Sequence, residues 1–208
     1  MTRTVRNILI TLVLGVGTLV WVGCEGGGGG GSKRDFGDND PNVISACGDS
    51  IATFGWPEQL QALLPGMRVV NRAVPGARTG DGVGVVRRAI GGDNPGFILI
   101  QFGANDAINS ISIDASIGNL RRMIQDAKGN QSIPIIATLT PMSGSRAIHN
   151  GKALALSDAI RALAKEEGVA VADMDKAFKG DTSLFPDGLH PNDEGAALMA
   201  RVFARIIR

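Results

Sequence analysis

The sequence predicts a three-layer α/β/α fold built on a five-stranded parallel sheet. Three observations carry this. Short apolar runs rich in valine and isoleucine recur five times, at 43–47, 69–74, 97–102, 133–139 and 169–174. They lack the apolar/polar alternation of a sheet with one wet face, so they suit strands covered on both sides. Helical patterns lie between them, and an alternation of strand and helix calls for right-handed crossovers on a parallel sheet.

The elements follow in order. The first strand, with Val43, Ile44 and Cys47, precedes a short helix at 57–64. The second strand at 69–74 leads to another short helix at 81–90, and the third strand lies at 97–102. Ile117, Leu120, Ile124 and Ala127 then fall on one helix face before the fourth strand. Leu156, Ile160 and Leu163 repeat the pattern before the fifth strand, and Leu198, Val202 and Ile206 close the chain on a final helix. No internal repeat is visible. The segment 41–208 is long enough to bury roughly 70% of its unfolded surface around one core without disulfide support.

Composition narrows the function classes. Of 208 residues, 44% are hydrophobic and 20% charged, which excludes a disordered chain. With 21 basic and 20 acidic residues interspersed there is no basic stripe, so nucleic acid is not an expected partner. Two cysteines exclude a disulfide scaffold and a four-cysteine zinc site. Glycine is abundant, at 29 residues, but six of these form the run 26–31, which reads as a flexible tether.

The first 23 residues read as a secretory signal. Arg3 and Arg6 precede an uncharged apolar stretch at 8–22, of signal length and shorter than the roughly 20 residues of a membrane span. Val22 and Gly23 then lead to Cys24, and the segment resembles a bacterial lipoprotein signal, with Trp21 where that family usually has leucine. The resemblance implies cleavage before Cys24 and lipidation of that residue. Glu25 is not the aspartate of an inner-membrane retention signal, which favours the outer membrane in a host that has one. An uncleaved signal anchor is the alternative, and both readings export the domain and hold it at a membrane. Cleavage leaves 19 basic and 20 acidic residues, a net charge of −1. The expected organisation is therefore signal 1–23, lipidated cysteine and linker 24–40, and folded domain 41–208.

In open α/β sheets, sites lie beyond the carboxyl ends of the strands. Four post-strand loops here carry reactive groups: Gly48-Asp49-Ser50, Pro75-Gly76, Gly103-Ala104-Asn105-Asp106 and Asp187-Gly188-Leu189-His190. That set meets the needs of acyl transfer. A serine hydroxyl needs a base to become a nucleophile, and His190 can take the proton of Ser50. Asp187, three residues earlier, can reach Nδ1 of His190 and select its tautomer. Candidate donors for the oxyanion are the N–H groups of Ser50 and Gly76 and the side-chain amide of Asn105.

The segments Cys47-Gly48-Asp49-Ser50-Ile51, Asn71-Arg72-Ala73-Val74-Pro75-Gly76, Phe102-Gly103-Ala104-Asn105-Asp106 and Asp187-Gly188-Leu189-His190-Pro191 resemble the four blocks of the SGNH, or GDSL, hydrolases, in family order. The resemblance implies a flavodoxin-like fold, Ser50 as nucleophile, His190 as base, Asp187 as its orienting acid, and an oxyanion hole of Ser50, Gly76 and Asn105. It implies no metal and no cofactor. Pro75 stands where relatives often have serine. The turn is not the G-x-S-x-G motif of α/β-hydrolases, since Ala52 fills the last position. Compact spacing and the stretch Trp56-Pro57-Glu58-Gln59-Leu60 are similar to the thioesterase I/lysophospholipase L1-like branch.

Other polar residues have plainer readings. Asp49 and Asp106 are expected to hold turns through local hydrogen bonds. His149 is expected to be solvated, and Cys47 to be a small buried hydrophobe. Arg78 and Arg146 are candidates to contact an anionic or sugar group, with surface solvation as the alternative. The leading reading is a lipid-anchored serine esterase acting on a small-molecule or glycan ester, such as an O-acetylated carbohydrate. Nine aromatic residues and no long apolar insertion favour a short acyl group. The alternatives are a lysophospholipase or thioesterase, a metallophosphoesterase using Asp49, Asn105, Asp187 and His190, and a carbohydrate-binding lipoprotein of the same fold. The sequence specifies no oligomeric state.

Overall fold

The computed structural model describes residues 34–208; the signal segment, Cys24 and the glycine run lie outside them. The five expected strands are β1 (Asp40–Gly48), β2 (Arg68–Asn71), β3 (Pro95–Gln101), β4 (Ile133–Ala137) and β5 (Ala170–Ala172). All pairings are parallel, in the order β2-β1-β3-β4-β5. The helices are α1 (Trp56–Leu63), α2 (Thr79–Asp93), α3 (Ala104–Ile108), α4 (Ile113–Gly129), α5 (Asn150–Glu167), α6 (Met174–Phe178) and α7 (Asp193–Ile207), with 3-10 turns at Ser50–Phe54 and Gly144–His149.

This strand order dictates the layers. From β1 the chain steps outward to β2, then reverses across β1 to β3 and continues to β5. Right-handed crossovers place α1 on one face and α2, α4 and α5 on the other. The helix contacts agree: α1 packs on α7, with Trp56 stacked on Phe203 at 4.6 Å, while α2 packs on α4 and α4 on α5. The seven residues of β3 are all buried, as befits the central strand of a doubly covered sheet.

The apolar runs and the strands differ at their ends for identifiable reasons. β2 stops at Asn71 because the Asn71 side chain accepts the Ala73 N–H at 3.0 Å and turns the chain. Even so, the N–H groups of Arg72 and Val74 still donate to Ala46 and Gly48 of β1, both at 2.9 Å. The run 169–174 splits in two: β5 ends at Ala172, and Asp173 caps α6 by accepting the Lys176 N–H at 3.3 Å. The packed domain also reaches back beyond Pro41. Phe36 meets Phe97 edge-on at 5.2 Å, and the Asn39 side chain donates to the Asn130 carbonyl at 2.6 Å.

Cys47 is fully buried on β1 as a free thiol. Burial, with a further contribution from the charge of Asp93, pushes it up to about 12, so it stays protonated and behaves as a small hydrophobe. Among the described residues no helix is long and apolar enough to cross a membrane.

Leu99 lies at the centre of β3 and is fully buried. Leu99→Ala is expected to cost about 2–5 kcal/mol, read as a lower urea midpoint with an unchanged slope.

Candidate active site

Ser50 is the first residue of the 3-10 turn that follows β1. The turn is started by Asp49, whose Oδ1 accepts the Ile51 N–H at 3.0 Å, and it is closed by Thr53, whose hydroxyl donates to the Ser50 carbonyl at 2.7 Å. Ser50 is thereby held at the rim, half exposed. From the far end of the chain, the loop before α7 brings His190 to it: Ser50 Oγ lies 2.8 Å from His190 Nε2.

That loop is shaped by Asp187. Its Oδ1 accepts the N–H groups of Leu189 at 2.9 Å and His190 at 2.7 Å, and its Oδ2 lies 2.6 Å from His190 Nδ1. Burial opposes ionisation of Asp187, but the His190 N–H, the His190 ring and the Leu189 N–H together bring the carboxyl down to about 2. A carboxylate at Nδ1 selects the tautomer with its proton there, leaving Nε2 as the acceptor facing Ser50. Gly188 between them has φ of 83°, and a Cβ on it would fall 2.4 Å from the Ser143 carbonyl, so no larger residue fits. The turn Gly144–His149 clamps the loop from outside. The Ser143 N–H donates to the Gly188 carbonyl at 3.0 Å, and the Arg146 guanidinium donates to the Asp187 carbonyl at 2.8 Å.

The expected oxyanion residues occupy the two loops flanking Ser50. Gly76, exposed and with φ of 76°, follows β2, and Asn105 is in the first turn of α3. Asn105 Nδ2 donates to the Ala77 carbonyl at 3.0 Å, which ties the two loops together and leaves its second N–H for another acceptor. Asp106 reinforces the tie and is fully buried. It accepts the Thr79 N–H at 2.9 Å, the Thr79 hydroxyl at 2.5 Å and the Ser116 hydroxyl at 2.8 Å. It therefore caps α2 from outside that helix, over a distance of 27 residues in sequence. The expectation that Asp106 only holds its own turn is too local; that for Asp49 agrees with the geometry.

Asp49 is also fully buried, with Gln101 as its neighbour at 3.5 Å. Among the described residues neither Asp49 Oδ2 nor Gln101 Oε1 has a hydrogen-bond partner. Burial pushes the Asp49 carboxyl up to about 7, against the Ile51 N–H. Arg78 is exposed beside Asp81, with no hydrogen bond to His190, Ser50 or Asp187. Arg146 is committed to the Asp187 loop, and His149 is half-buried at the start of α5.

Sequence reasoning missed Phe54. Its ring lies flat against His190, with centroids 4.3 Å apart and planes 13° from parallel. Only its position four residues after Ser50 hinted at this. Phe54, Thr53, Pro186, His190 and Pro191 line an open groove of about 710 Å³. A second cavity of about 180 Å³, between α5 and the loop after β4, contains none of the linked Ser, His or Asp residues. Among the described residues no group of three or more His, Cys, Asp or Glu side chains is placed to hold a metal ion.

An α/β/α sheet with a linked serine, histidine and aspartate on the rim beyond its strand ends defines a hydrolase. The chain belongs to the GDSL-like lipase/acylhydrolase family, whose model matches residues 44–198, and it is an ester-hydrolysing enzyme of that family. Solved structures share the fold. The lipase/acylhydrolase from Enterococcus faecalis is 24% identical, with a TM-score of 0.70 over 80% of this chain and 95% of that one. A GDSL-like lipase from Bacteroides thetaiotaomicron is 20% identical, with a TM-score of 0.69 over 80% and 88%. The acetyl xylan esterase AlAXEase is 17% identical, with a TM-score of 0.67 over 80% and 100%. No curated protein matches the chain.

Asp49 generates a pH-dependent expectation. The folded chain binds this proton more tightly than the unfolded one, whose ordinary value is 3.8, so its contribution to stability declines as pH rises from about 4 to about 7. Asp49→Asn removes the ionisable group and replaces the unpartnered Oδ2 by an amide N–H donor, leaving Gln101 Oε1 as the unpaired acceptor it can serve. Its denaturation midpoint is expected to exceed that of the wild type at about pH 8, with the gain shrinking towards about pH 4.

Proposed function

We propose that the protein is a lipid-anchored serine esterase that works through an acyl-enzyme on Ser50. The observation that carries this reading is the unbroken line from Ser50 Oγ through both ring nitrogens of His190 to Asp187 Oδ2, at 2.8 and 2.6 Å. His190 Nε2 takes the hydroxyl proton as Oγ bonds to the ester carbon. The carbonyl oxygen becomes an oxyanion, stabilised by the N–H groups of Ser50 and Gly76 and the free amide N–H of Asn105. Collapse breaks the bond to the alcohol oxygen, which receives the proton from Nε2. A water, deprotonated by the same nitrogen, then attacks the acyl-serine; the bond from the acyl carbon to Oγ breaks, Nε2 returns the proton to Oγ, and the acid is released. Asp187 stays ionised throughout, since its carboxyl is held down at about 2.

The substrate we favour is a short-chain ester such as an O-acetylated carbohydrate. The groove beside His190 is open, and an acetyl xylan esterase shares the fold. Acetyl esters hydrolysed in preference to long-chain and thioester substrates, across acyl lengths from C2 to C16, would support it over a lysophospholipase or thioesterase. Lipidation at Cys24 places the domain in the cell envelope. Each acyl chain contributes about 0.8 kcal/mol per buried methylene, and more than one chain anchors stably.

Ser50→Ala is expected to lower p-nitrophenyl acetate hydrolysis by at least about a thousandfold and to abolish labelling by a fluorophosphonate probe. Wild-type turnover in that variant would overturn the assignment. In cells, Cys24→Ser is expected to lose incorporation of an alkynyl fatty acid and the membrane attachment of the mature chain, as read by fractionation.

A further inference from the structure

Phe54 is 46% exposed, yet its ring covers one face of the His190 imidazole. The two rings belong to elements far apart in sequence, but Phe54 is the last residue of the same five-residue 3-10 turn of which Ser50 is the first. The nucleophile and the cover over the base are therefore carried by one rigid unit. His190 is held by two bonds in its own plane, at Nε2 and Nδ1. Such a ring retains one soft motion, rotation about its Cβ–Cγ bond, and this carries the Nδ1 N–H and the Nε2 lone pair out of the shared plane in opposite directions. A flat aromatic contact blocks that rotation. It also presents a negative π face to a ring that becomes positive when Nε2 takes the Ser50 proton.

We propose that Phe54 is a positioning residue for His190, holding the imidazole in the plane of Ser50 and Asp187 and stabilising the imidazolium formed in each proton transfer. The proposal rests on the reading of His190 as general base. The other charged groups around the ring are Asp187 in its own loop, Arg146 from the turn Gly144–His149, through the Asp187 carbonyl, and Asp193 at the start of α7, which lines the same groove. Within the turn Ser50–Phe54 there is no charged residue. On that side the π face is what meets the positive ring, while buried Asp49 lies behind Ser50.

The test uses Phe54→Leu, which keeps apolar bulk over the imidazole but removes the π face, and Phe54→Tyr, which retains it. With p-nitrophenyl acetate, Phe54→Leu is expected to lower kcat by about two- to fivefold with little change in KM, and Phe54→Tyr to recover most of the loss. A second readout needs no turnover. In a Ser50→Ala background, with His149→Gln to leave one histidine signal, the NMR titration midpoint of His190 is expected to fall by about half a pH unit on Phe54→Leu and to return with tyrosine. Unchanged kcat and an unchanged midpoint in Phe54→Leu overturn the proposal, as does an effect confined to KM, which would make Phe54 a wall for substrate. A shifted midpoint in a protein whose esterase activity survives Ser50→Ala would uphold the ring contact while refuting the base assignment.

Discussion

Every strand of this sheet runs the same way, and that constraint organises the site. Parallel strands are joined by crossovers, so each strand delivers its following loop to one rim. The loops after β1, β2 and β3 bring Ser50, Gly76 and Asn105 there side by side, because β1 lies between β2 and β3. The loop before α7 brings Asp187 and His190 to the same rim from the end of the chain. A hairpin-built sheet would divide these loops between two edges and leave the hydroxyl and the imidazole far apart.

Three aspartates at this rim share one chemistry but hold three different states of partnership. Asp106 is buried and accepts three hydrogen bonds, so it works as a fixed bracket between the loops after β2 and β3. Asp187 is half exposed, takes two backbone N–H groups and faces an imidazole, and stays ionised. Asp49 is buried with one oxygen unpartnered, and desolvation lifts it to about 7. Environment, rather than residue type, divides bracket, orienting acid and buried carboxyl.

Much of the fold was legible in the sequence because its signals are local. Runs of buried β-branched residues and stripes at helical spacing mark strands and long helices wherever they lie. The five-residue helices α3 and α6 were not legible, since each is little more than one turn, too short to show a period. The ends of β2 and β5 were set by Asn71 and Asp173, whose side chains compete for backbone N–H groups and stop a strand that apolar residues alone would prolong. The boundary near Pro41 lay further back because polar Asn39 and lone Phe36 find partners, Asn130 and Phe97, that are remote in sequence.

By itself, the sequence determined the fold class, the family resemblance and the identities of Ser50, Gly76, Asn105, Asp187 and His190 as residues to watch. Those rest on spacing within a few positions, and spacing is written along the chain. Tertiary structure decided the rest. It set the 2.8 Å contact between Ser50 and His190 across 140 residues, the capping of α2 by Asp106, the hold of Arg146 on the Asp187 loop and the cover of Phe54 over the imidazole. Each joins groups whose separation depends on which strands are neighbours and on how crossovers return over the sheet. Strand order is a property of the whole packed chain, and no local pattern encodes it.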